Sequence, residues 1–387
     1  MSSRLERLAA GLAGLERDNL RRSRRVVDSP QGPHVRENGR SLVNFSSNDY
    51  LGLANHPRLR EAAHRAIDEY GVGAGASPLI SGHMRPHQEA EERFCAFSGL
   101  QRALLFPSGY AANLGILASL AGKDAEIFSD ELNHACLIDG ARLSRAKVTR
   151  YGHCDLDELA ARLAESNATA RIVATDAVFS MDGDIAPVAD ILELCERHDA
   201  WLVLDDAHGI GVMGAGGRGT LQHFGVRSPR IVYMATLGKA LGGYGAFVAG
   251  APDAIEWLLQ RARTLIYSTA LPPMAAAAAI AALDLVEADP ARVARLHARI
   301  AQFRAACAAA GVKPGESQSA IQPIVVGSAD RALGAAARLH ARGLLVPAIR
   351  PPTVPEGTSR LRVSLSAAHE RGEVEAAAIV LAECLAA

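Results

Sequence analysis

Three residues of this 387-residue chain could together bind and activate a flat ligand that carries a carbonyl group. Asp205 and His208 follow the apolar run that begins at Trp201, and Lys239 follows a second apolar run that begins at Ile231. Short, partly β-branched runs that end in polar turns are typical of strands buried on both faces of a parallel sheet. Polar residues at the carboxyl ends of such strands lie where α/β folds bind ligands.

The chemistry of these side chains favours pyridoxal 5'-phosphate (PLP) as the ligand. A desolvated lysine amine readily forms a Schiff base with an aldehyde. A carboxylate opposite the pyridine nitrogen lets PLP act as an electron sink. We therefore predict that Lys239 holds PLP covalently and that Asp205 faces the ring nitrogen. These residues alone leave one alternative open, which is an Asp205–Lys239 ion pair beside a hydrogen-bonded histidine.

The elements that must position these residues alternate between strands and helices. The sequence predicts strands at 102–106, 125–128, 146–150, 171–179, 201–205, 231–236 and 246–249, with helices at 57–70, 86–97, 155–165 and 187–198 and another after residue 108. This βαβα alternation indicates a large three-layer α/β/α domain with a mostly parallel sheet.

After about residue 285 the pattern changes to a few strands with helices on one side, which is typical of a small α+β domain. The predicted helices there are 290–311, 330–342 and one from 370, and the predicted strands are 322–326, 344–346 and 360–365. We divide the chain into an N-terminal helix and arm (1–50), a large PLP-binding domain (51–285) and a small C-terminal domain (286–387).

Two turns of the large domain carry further candidates for ligand binding. Gly109 and Tyr110 open an alanine-rich helix after Ser108, and a helix N-terminus offers free N–H groups to a phosphate. A capped helix without a ligand is the alternative. His134 comes just after a predicted strand, where its ring could stack on a flat cofactor or remain an ordinary surface side chain.

Arginines occur in two patterns that suit carboxylate binding. Residues 3–25 predict an amphipathic helix that ends in four arginines, Arg21, Arg22, Arg24 and Arg25, which either form a solvated face or supply one side chain to an anionic substrate group. Arg360 and Arg362 alternate with apolar residues on a predicted strand, so they share a face. They form either a surface pair or a two-pronged grip on a carboxylate.

Composition and motifs exclude several classes of protein. A hydrophobic fraction of 49% with a formal net charge of −1 indicates a soluble globular chain without the charge pattern of nucleic-acid binding. The apolar run 271–283 is too short to span a bilayer. The six cysteines form no CxxC motif, which favours reduced thiols in a cytoplasmic enzyme.

Two local motifs are misleading. The glycine-rich residues 71–82 follow a helix and contain Pro78, so they do not match a dinucleotide fingerprint. They instead predict a close-packed loop, either within a subunit or at an interface. His83 and His87 have Pro86 between them and no evident third ligand, so we predict no metal site.

Four segments together resemble the α-oxoamine synthases, PLP-dependent enzymes of the aspartate aminotransferase fold, which is fold type I. The segments are residues 44–53, 178–184, 204–209 and 236–239, and the resemblance covers essentially the whole chain. Within the family, residues 350–369 are similar to members that join L-alanine to a pimeloyl thioester, carried on CoA or acyl carrier protein, in biotin synthesis. The resemblance therefore implies PLP as the cofactor and a decarboxylative condensation as the reaction.

The resemblance also implies a role for individual residues. Lys239 is expected to hold PLP and then to remove the α-proton of alanine, while Asp205 keeps the pyridine nitrogen protonated. His134 is expected to stack on the cofactor ring, and His208 is expected to form a hydrogen bond with the phenolic oxygen of that ring. The other residues expected around the cofactor are Gly109, Tyr110, Ser180, Thr236, Ser268 and Thr269.

Substrate binding and assembly follow from the same resemblance. Arg362 is expected to hold the substrate carboxylate, and four residues are candidates for the acyl substrate: Arg21, Asn48, Ser77 and Thr353. Family members are homodimers with shared active sites, so Ser268 and Thr269 are expected to reach the cofactor phosphate of the neighbouring subunit.

Three other functions remain open at this point. Glycine C-acetyltransferase shares the core motifs and differs in the amino acid and acyl group that it joins. A non-catalytic partner subunit with the same fold would have no reason to retain Lys239, Asp205 and His208 together. A nicotinamide-dependent dehydrogenase would require a dinucleotide fingerprint after a strand.

Overall fold

A computed structural model describes residues 3–386 of the chain. Its helices are α1 (Arg4–Arg17), α2 (Pro57–Tyr70), α3 (Arg85–Ser98), α4 (Gly109–Leu120), α5 (Ala135–Ser144), α6 (Leu156–Glu165), α7 (Val188–Arg197), α8 (Thr220–Phe224), α9 (Pro252–Arg261), α10 (Arg263–Ile266), α11 (Pro273–Ala288), α12 (Ala291–Ala309), α13 (Ala329–Ala341) and α14 (Arg371–Ala386). None of the helices between residues 3 and 386 combines the length and the hydropathy that a bilayer-spanning segment requires.

The strands are short, as expected for a chain that alternates between strands and helices. They are β1 (His34–Glu37), β2 (Arg40–Asn44), β3 (Arg102–Phe106), β4 (Ala125–Asp130), β5 (Lys147–Tyr151), β6 (Ala170–Asp176), β7 (Ala200–Asp205), β8 (Ile231–Thr236), β9 (Ala246–Gly250), β10 (Ile321–Gly327), β11 (Leu344–Leu345), β12 (Ala348–Ile349) and β13 (Ser359–Ser364). The sequence did not predict β1, β2, β12, α5, α8, α9, α10 or α11.

The chain forms two compact units. The Lys239 unit consists of Asn48–Ser180 and Asp184–Leu296, and the described part of the terminal unit consists of 3–47, Met181–Gly183 and 297–386. The three-part division at residues 50 and 285 remains a prediction.

The Lys239 unit contains a seven-stranded sheet with the order β3-β9-β8-β7-β6-β4-β5. The pairs β4–β5, β4–β6, β6–β7 and β7–β8 are parallel, whereas β9 runs antiparallel to both β3 and β8. The predicted mostly parallel sheet is therefore confirmed. Apolar side chains from α4, α5 and α9 share a buried core with strands β7 and β8, which explains why those strands read as continuous apolar runs.

Strand β6 ends at Asp176, earlier than the predicted residue 179, because the backbone hydrogen bonds beyond Asp176 no longer follow the sheet pattern. The Ala177 N–H donates to Asp205 O at 2.7 Å, and the Phe179 N–H donates to Asp184 O at 3.0 Å. The chain thus leaves the sheet in a local turn that places Ser180 beyond the carboxyl end of the strand.

The terminal unit contains two three-stranded sheets, β1-β2-β11 and β10-β13-β12. Strand β13 is buried along its whole length and pairs antiparallel with β10 and β12. Helix α13 packs against β12 and β13. This arrangement agrees with the small α+β domain expected for the C-terminal part.

The predicted helix over residues 3–25 is wrong beyond Arg17. Ser3 and Glu6 form a capping box at its start. At its end Asn19 adopts a left-handed φ of 54°, and its side chain donates to Asp330 Oδ1 at 2.5 Å. A helix cannot continue through this backbone conformation, so the arginines from residue 21 to residue 25 lie beyond the end of α1.

Candidate active site

The carboxyl ends of β6, β7 and β8 bring polar residues of the Lys239 unit together. Asp176 and Asp205 are directly paired in the sheet register, and Thr236 ends the next strand. The turn after β7 is tight, because a Cβ atom on Gly209 would lie 1.9 Å from Asp206 Oδ1. Glycine is therefore required here for the chain to carry His208 back beneath the sheet edge.

Lys239 and His208 form the centre of a hydrogen-bonded chain. Lys239 Nζ lies 2.8 Å from His208 Nε2, and His208 Nδ1 lies 2.7 Å from the hydroxyl of Tyr50. The Tyr50 hydroxyl in turn donates to Asn48 Oδ1 at 3.1 Å. Since the tyrosine proton goes to Asn48, we assign the neutral imidazole proton to Nδ1, which leaves Nε2 as the acceptor for the lysine amine.

Asp205 is buried and its carboxylate is held by two donors. Oδ2 accepts from Asn113 Nδ2 at 2.7 Å, and Oδ1 accepts from the Ala207 N–H at 2.9 Å. Asp205 is 3% exposed and Asn113 is fully buried, so the carboxylate has little freedom to turn. A buried carboxylate held in this way is suited to face a protonated ring nitrogen.

His134 lies beside Asp205 at the start of α5. Its backbone N–H donates to Asp176 Oδ2 at 2.7 Å, and its Nδ1 accepts from the Cys136 N–H at 3.2 Å. The side chain keeps substantial solvent-exposed surface, yet neighbouring protein atoms desolvate the ring enough to lower the pKa of His134, against the opposing charge of Asp205. The ring is therefore neutral at neutral pH.

The two buried carboxylates that flank this histidine repel each other. Burial, followed by the charge of Asp205, raises the pKa of Asp176 well above its usual range. A cation bound near the pair would relieve this repulsion. Lys239 is close enough to lower the pKa of Asp176, so the lysine amine already acts as one such cation.

The lysine cluster consists of Lys239, His208, Tyr50, Asp205 and His134. Asp206 differs from its neighbour Asp205 because it faces away from this cluster. Its Oδ2 accepts from the Tyr233 hydroxyl at 2.6 Å and from the Thr220 N–H at 2.8 Å. Burial raises the pKa of Asp206 to about 7, although the Tyr233 hydrogen bond opposes this shift. Asp206 thus anchors the turn after β7.

The residues predicted to surround a phosphate lie at the start of α4 and at the end of β8. Ser108 caps the helix by accepting from the Ala111 N–H at 3.1 Å. The atoms nearest to a Cβ atom on Gly109 would belong to the side chains of Met234, at 3.5 Å, and Thr236, at 3.9 Å. The Thr236 hydroxyl donates to Gly245 O at 3.0 Å, and the exposed Tyr110 donates from its hydroxyl to Asp139.

Ser77, Ser268 and Thr269 belong to a pair of adjoining loops in the same unit. The Ala270 N–H donates to Ala76 O at 2.9 Å, which joins the two loops. A Cβ atom on Gly82 would lie 2.1 Å from Ala76 O, whereas one on Gly71, Gly73 or Gly75 would meet no atom within 4 Å. The close packing predicted for residues 71–82 is therefore found at Gly82 and is wrong at the other three glycines. Ser268 and Thr269 also line a cavity of about 260 Å³ behind these loops.

Arg21 and Thr353 lie together in a groove of the terminal unit, about 570 Å³ in volume. Arg22 Nη2 donates to the Thr353 hydroxyl at 3.0 Å, and Arg21 Nη1 pairs with Glu16 at 2.9 Å. Arg350 also lines this groove. The structure thus brings two of the four acyl-substrate candidates into one basic groove, although the helix predicted to carry Arg21 ends at Arg17.

Arg362 and Arg360 are both buried on β13, so they are not a surface pair. Arg360 forms a salt bridge with Asp182 and is therefore already committed to a carboxylate. Arg362 Nη1 donates to Ser364 Oγ at 3.0 Å. We propose Arg362 for the substrate carboxylate, as the resemblance to the α-oxoamine synthases implies.

Asp130, His153 and Cys154 are close enough to share a metal ion, because their ligand atoms lie within 4.8 Å of one another. Both nitrogens of His153 are nevertheless occupied, by Asp130 at 3.1 Å and Asp184 at 2.7 Å. Although burial opposes it, these hydrogen bonds raise the pKa of His153 to about 12, so the ring stays protonated and cannot coordinate a metal. The absence of a metal site remains a prediction.

These residues fit PLP. An amine is present for its aldehyde, a buried carboxylate for its pyridine nitrogen, and an imidazole for its ring face. The N-terminus of α4 is available for its phosphate. The buried carboxylate of Asp205 and its repulsion with the neighbouring Asp176 also favour a protonated pyridine as ligand.

Some residues of the cluster were not predicted from the sequence. Tyr50 lies within the segment 44–53, and Asn113 lies on the helix predicted after residue 108. The sequence predicted no role for either residue or for Cys136. Asp176 lies within the predicted strand 171–179, and a carboxylate inside an apolar strand is a sequence signal for a functional position. The Asn113 and Cys136 contacts had no sequence signal, because they join α4 and α5 to β7 across more than 65 residues.

Comparison with known proteins agrees with this geometry. Residues 40–381 match the aminotransferase class I and II family. A serine palmitoyltransferase from S. paucimobilis, solved with a bound PLP-myriocin aldimine, superposes with a TM-score of 0.93 at 27% identity, covering 99% of this chain and 98% of that one. The fold and the site therefore define a PLP-dependent enzyme of fold type I.

The more similar relatives narrow this class. The chain is 54% identical to an 8-amino-7-oxononanoate synthase from Methylobacillus flagellatus, over 96% of this chain and 94% of the relative. It is 50% identical to the Methylococcus capsulatus enzyme of the same name, over 97% and 98%. The solved 8-amino-7-oxononanoate synthase from Francisella tularensis has a TM-score of 0.77 at 31% identity, covering 88% and 97%. The chain belongs to the 8-amino-7-oxononanoate synthase family.

Proposed function

We propose that this chain condenses L-alanine with a pimeloyl thioester to give 8-amino-7-oxononanoate, CO2 and a free thiol, a step of biotin synthesis. The observation that carries this proposal is the network that joins Lys239, His208 and Tyr50 and lies beside Asp205 and His134. Relatives at 50–54% identity that bear this enzyme name support the choice of substrates.

The cluster supplies the groups that the reaction requires. PLP, when bound, withdraws electrons from the α-carbon of the amino acid, so that a proton can be removed there. Lys239 is the base, and its contact with His208 holds the amine in place. Asp205 provides the negative charge for the ring nitrogen, and the donors Asn113 and Ala207 keep that charge oriented.

The substrates carry two kinds of carboxylate, and the chain offers a different arginine for each. Arg362 has the planar, two-pronged geometry that suits the α-carboxylate of alanine. The groove around Arg21, Arg22 and Arg350 offers several positive charges above an apolar floor that includes Leu333 and Ala336. Such a groove suits an apolar chain with an anionic end, as a pimeloyl group has.

A homodimer with shared active sites is the assembly that we propose. Val72, Ile80 and Tyr267 are 70%, 80% and 71% exposed beside the paired loops that contain Ser268 and Thr269. Large apolar side chains gathered at one place on the surface favour a protein interface. A second copy of this chain would cover these side chains. Ser268 and Thr269 of one subunit would then reach the cofactor of the other subunit.

A product assay tests the proposed reaction. The holoenzyme is incubated with L-alanine and pimeloyl-CoA, with acetyl-CoA and palmitoyl-CoA as alternative acyl donors and glycine and serine as alternative amino acids. We expect 8-amino-7-oxononanoate and stoichiometric CO2 only from the first pair. Turnover of glycine with acetyl-CoA at a higher rate would instead identify a glycine C-acetyltransferase.

Mixed dimers test the shared site. One subunit carries Lys239→Ala and the other carries Ser268→Ala with Thr269→Val. If the loop residues act on the partner, one site of the mixed dimer retains every functional group, and its activity exceeds that of both parent homodimers. If they act within their own subunit, neither site is complete and no recovery occurs.

A further inference from the structure

Cys136 occupies an unusual position for a thiol, between the two residues that are expected to contact the cofactor ring. Its Sγ lies 2.8 Å from His134 Nδ1 and 3.9 Å from Asp205 Oδ2. It is 2% exposed, so the thiol cannot exchange these contacts for water. Its position makes it a link between His134 and Asp205.

Asn113 completes this link. One N–H of its side chain donates to Asp205 Oδ2 at 2.7 Å, and Nδ2 also lies 3.1 Å from Cys136 Sγ. The amide has two N–H bonds, so it can donate to both acceptors at once. The sulfur therefore accepts from Asn113 and keeps its own S–H proton for another acceptor.

The direction of the S–H bond follows from the charge of the thiol and from the distances. Burial and the nearby Asp205 charge raise the pKa of Cys136, so the thiol remains protonated. Its closest acceptor is His134 Nδ1, which also receives the Cys136 backbone N–H at 3.2 Å. Two donors directed at Nδ1 leave no room for a proton on that nitrogen.

We propose that Cys136, held by Asn113, is a positioning residue that fixes His134 in the tautomer protonated on Nε2. This proposal rests on the proposed function, since it assigns a task to a residue beneath the cofactor site. The opposite edge of the imidazole then always presents an N–H donor, which suits an anionic oxygen of the bound amino acid. The ring also stays uncharged, as stacking on a protonated pyridine requires.

The first test reads the tautomer directly and does not depend on catalysis. Nitrogen-15 NMR of histidine-labelled holoenzyme reports which ring nitrogen carries the proton, and a His134→Gln variant identifies the His134 signals. We expect an unprotonated Nδ1 and a protonated Nε2 between pH 6 and pH 9. A proton on Nδ1 in the wild-type enzyme would overturn the proposal even if the proposed reaction is correct.

The second test compares three variants. Cys136→Ala removes the S–H donor, so we expect the His134 pKa to rise and kcat/KM for L-alanine to fall about 10-fold, with KM for the pimeloyl thioester unchanged. Cys136→Ser retains a donor and should restore the wild-type tautomer and most of the activity. Cys195→Ala is the matched control, because Cys195 is an equally buried thiol on α7.

Each outcome of this comparison decides the question. Wild-type NMR signals and alanine kinetics in Cys136→Ala would show that the thiol only fills space. Equal losses in Cys136→Ala and Cys136→Ser would contradict a role for the donor. If the alanine variant does not fold, the wild-type spectrum and the serine variant still test the assignment. An inactive wild-type enzyme with the expected tautomer would instead contradict the proposed function.

Discussion

The lysine cluster and the basic groove around Arg21 differ in how far their charged side chains are exposed to solvent. Asp205 is 3% exposed and its carboxylate accepts from Asn113 and Ala207, which are fixed by helix and turn. Arg21 in the groove is paired with Glu16, and the two side chains are 58% and 64% exposed. One region holds its charges in place, whereas the other leaves them in solvent.

This difference indicates how each region contributes. Buried charges act strongly on a bound group because the surrounding dielectric is low and the donors need no rearrangement. Exposed ion pairs are screened by water and salt, so each contributes little. We therefore expect substitutions in the lysine cluster to reduce the chemical step severely, and substitutions in the groove to change acyl-substrate binding modestly.

The largest effect is expected for Lys239→Ala. The variant lacks both the amine that holds the cofactor and the proposed base, so the visible absorbance of the lysine-bound cofactor should disappear and kcat should fall by at least about 10³-fold. Absorption spectra and single-turnover assays measure both effects. Lys123→Ala, at an exposed position in a loop, is the matched control. Wild-type turnover by Lys239→Ala would remove this lysine from the chemistry.

The next largest effect is expected for Asp205→Asn. The substitution keeps the size of the side chain but removes the charge, so removal of the alanine α-proton should slow by about 10²-fold or more. Exchange of that proton with deuterated solvent measures this step without the acyl donor. Asp206→Asn is the neighbouring comparison and should slow exchange much less, because Asp206 bonds Tyr233 and Thr220 instead. Equal losses in the two variants would contradict the assignment.

A smaller effect is expected for Arg21→Ala in the groove. KM for the pimeloyl thioester should rise about fivefold with kcat unchanged, and the rise should shrink at high salt because the charge is screened. Steady-state kinetics at two ionic strengths measure it. Arg24→Ala removes the same charge from a position that does not line the groove, so KM should change less. A fall in kcat for Arg21→Ala would place this residue in the chemical step.

The smallest effect concerns stability and a partly buried carboxyl group, that of Glu91, which accepts the Leu105 N–H at 2.9 Å. Burial raises its pKa to about 7. A raised pKa in the folded state means that its stabilising contribution is present below about pH 4 and is lost as pH rises through about 7. Glu91→Gln should therefore gain in melting temperature relative to wild type between pH 5 and pH 8. The exposed neighbour Glu92, changed to Gln, should show no such gain.

Much of the fold was predictable because its signals are local. Strand β8 ends at the predicted residue, since an apolar run that stops at Thr236 and a glycine turn requires no distant contact to define it. Lys239, Asp205 and His208 were recognisable for the same reason, because each follows such a run directly. The helix over residues 3–25 was wrong because the turn at Asn19 is stabilised by Asp330, which is 311 residues away.

The amino-acid sequence alone determined the chemical groups of this site and the strands that carry them. Side-chain type and periodicity are properties of neighbouring residues, and they do not depend on how the chain closes. Only the tertiary structure decided which groups meet, such as His208 with Tyr50 and Cys136 with His134 and Asp205. It also decided that Asp205 faces the lysine cluster whereas Asp206 faces Tyr233, because that choice depends on hydrogen-bond donors contributed by other strands and helices.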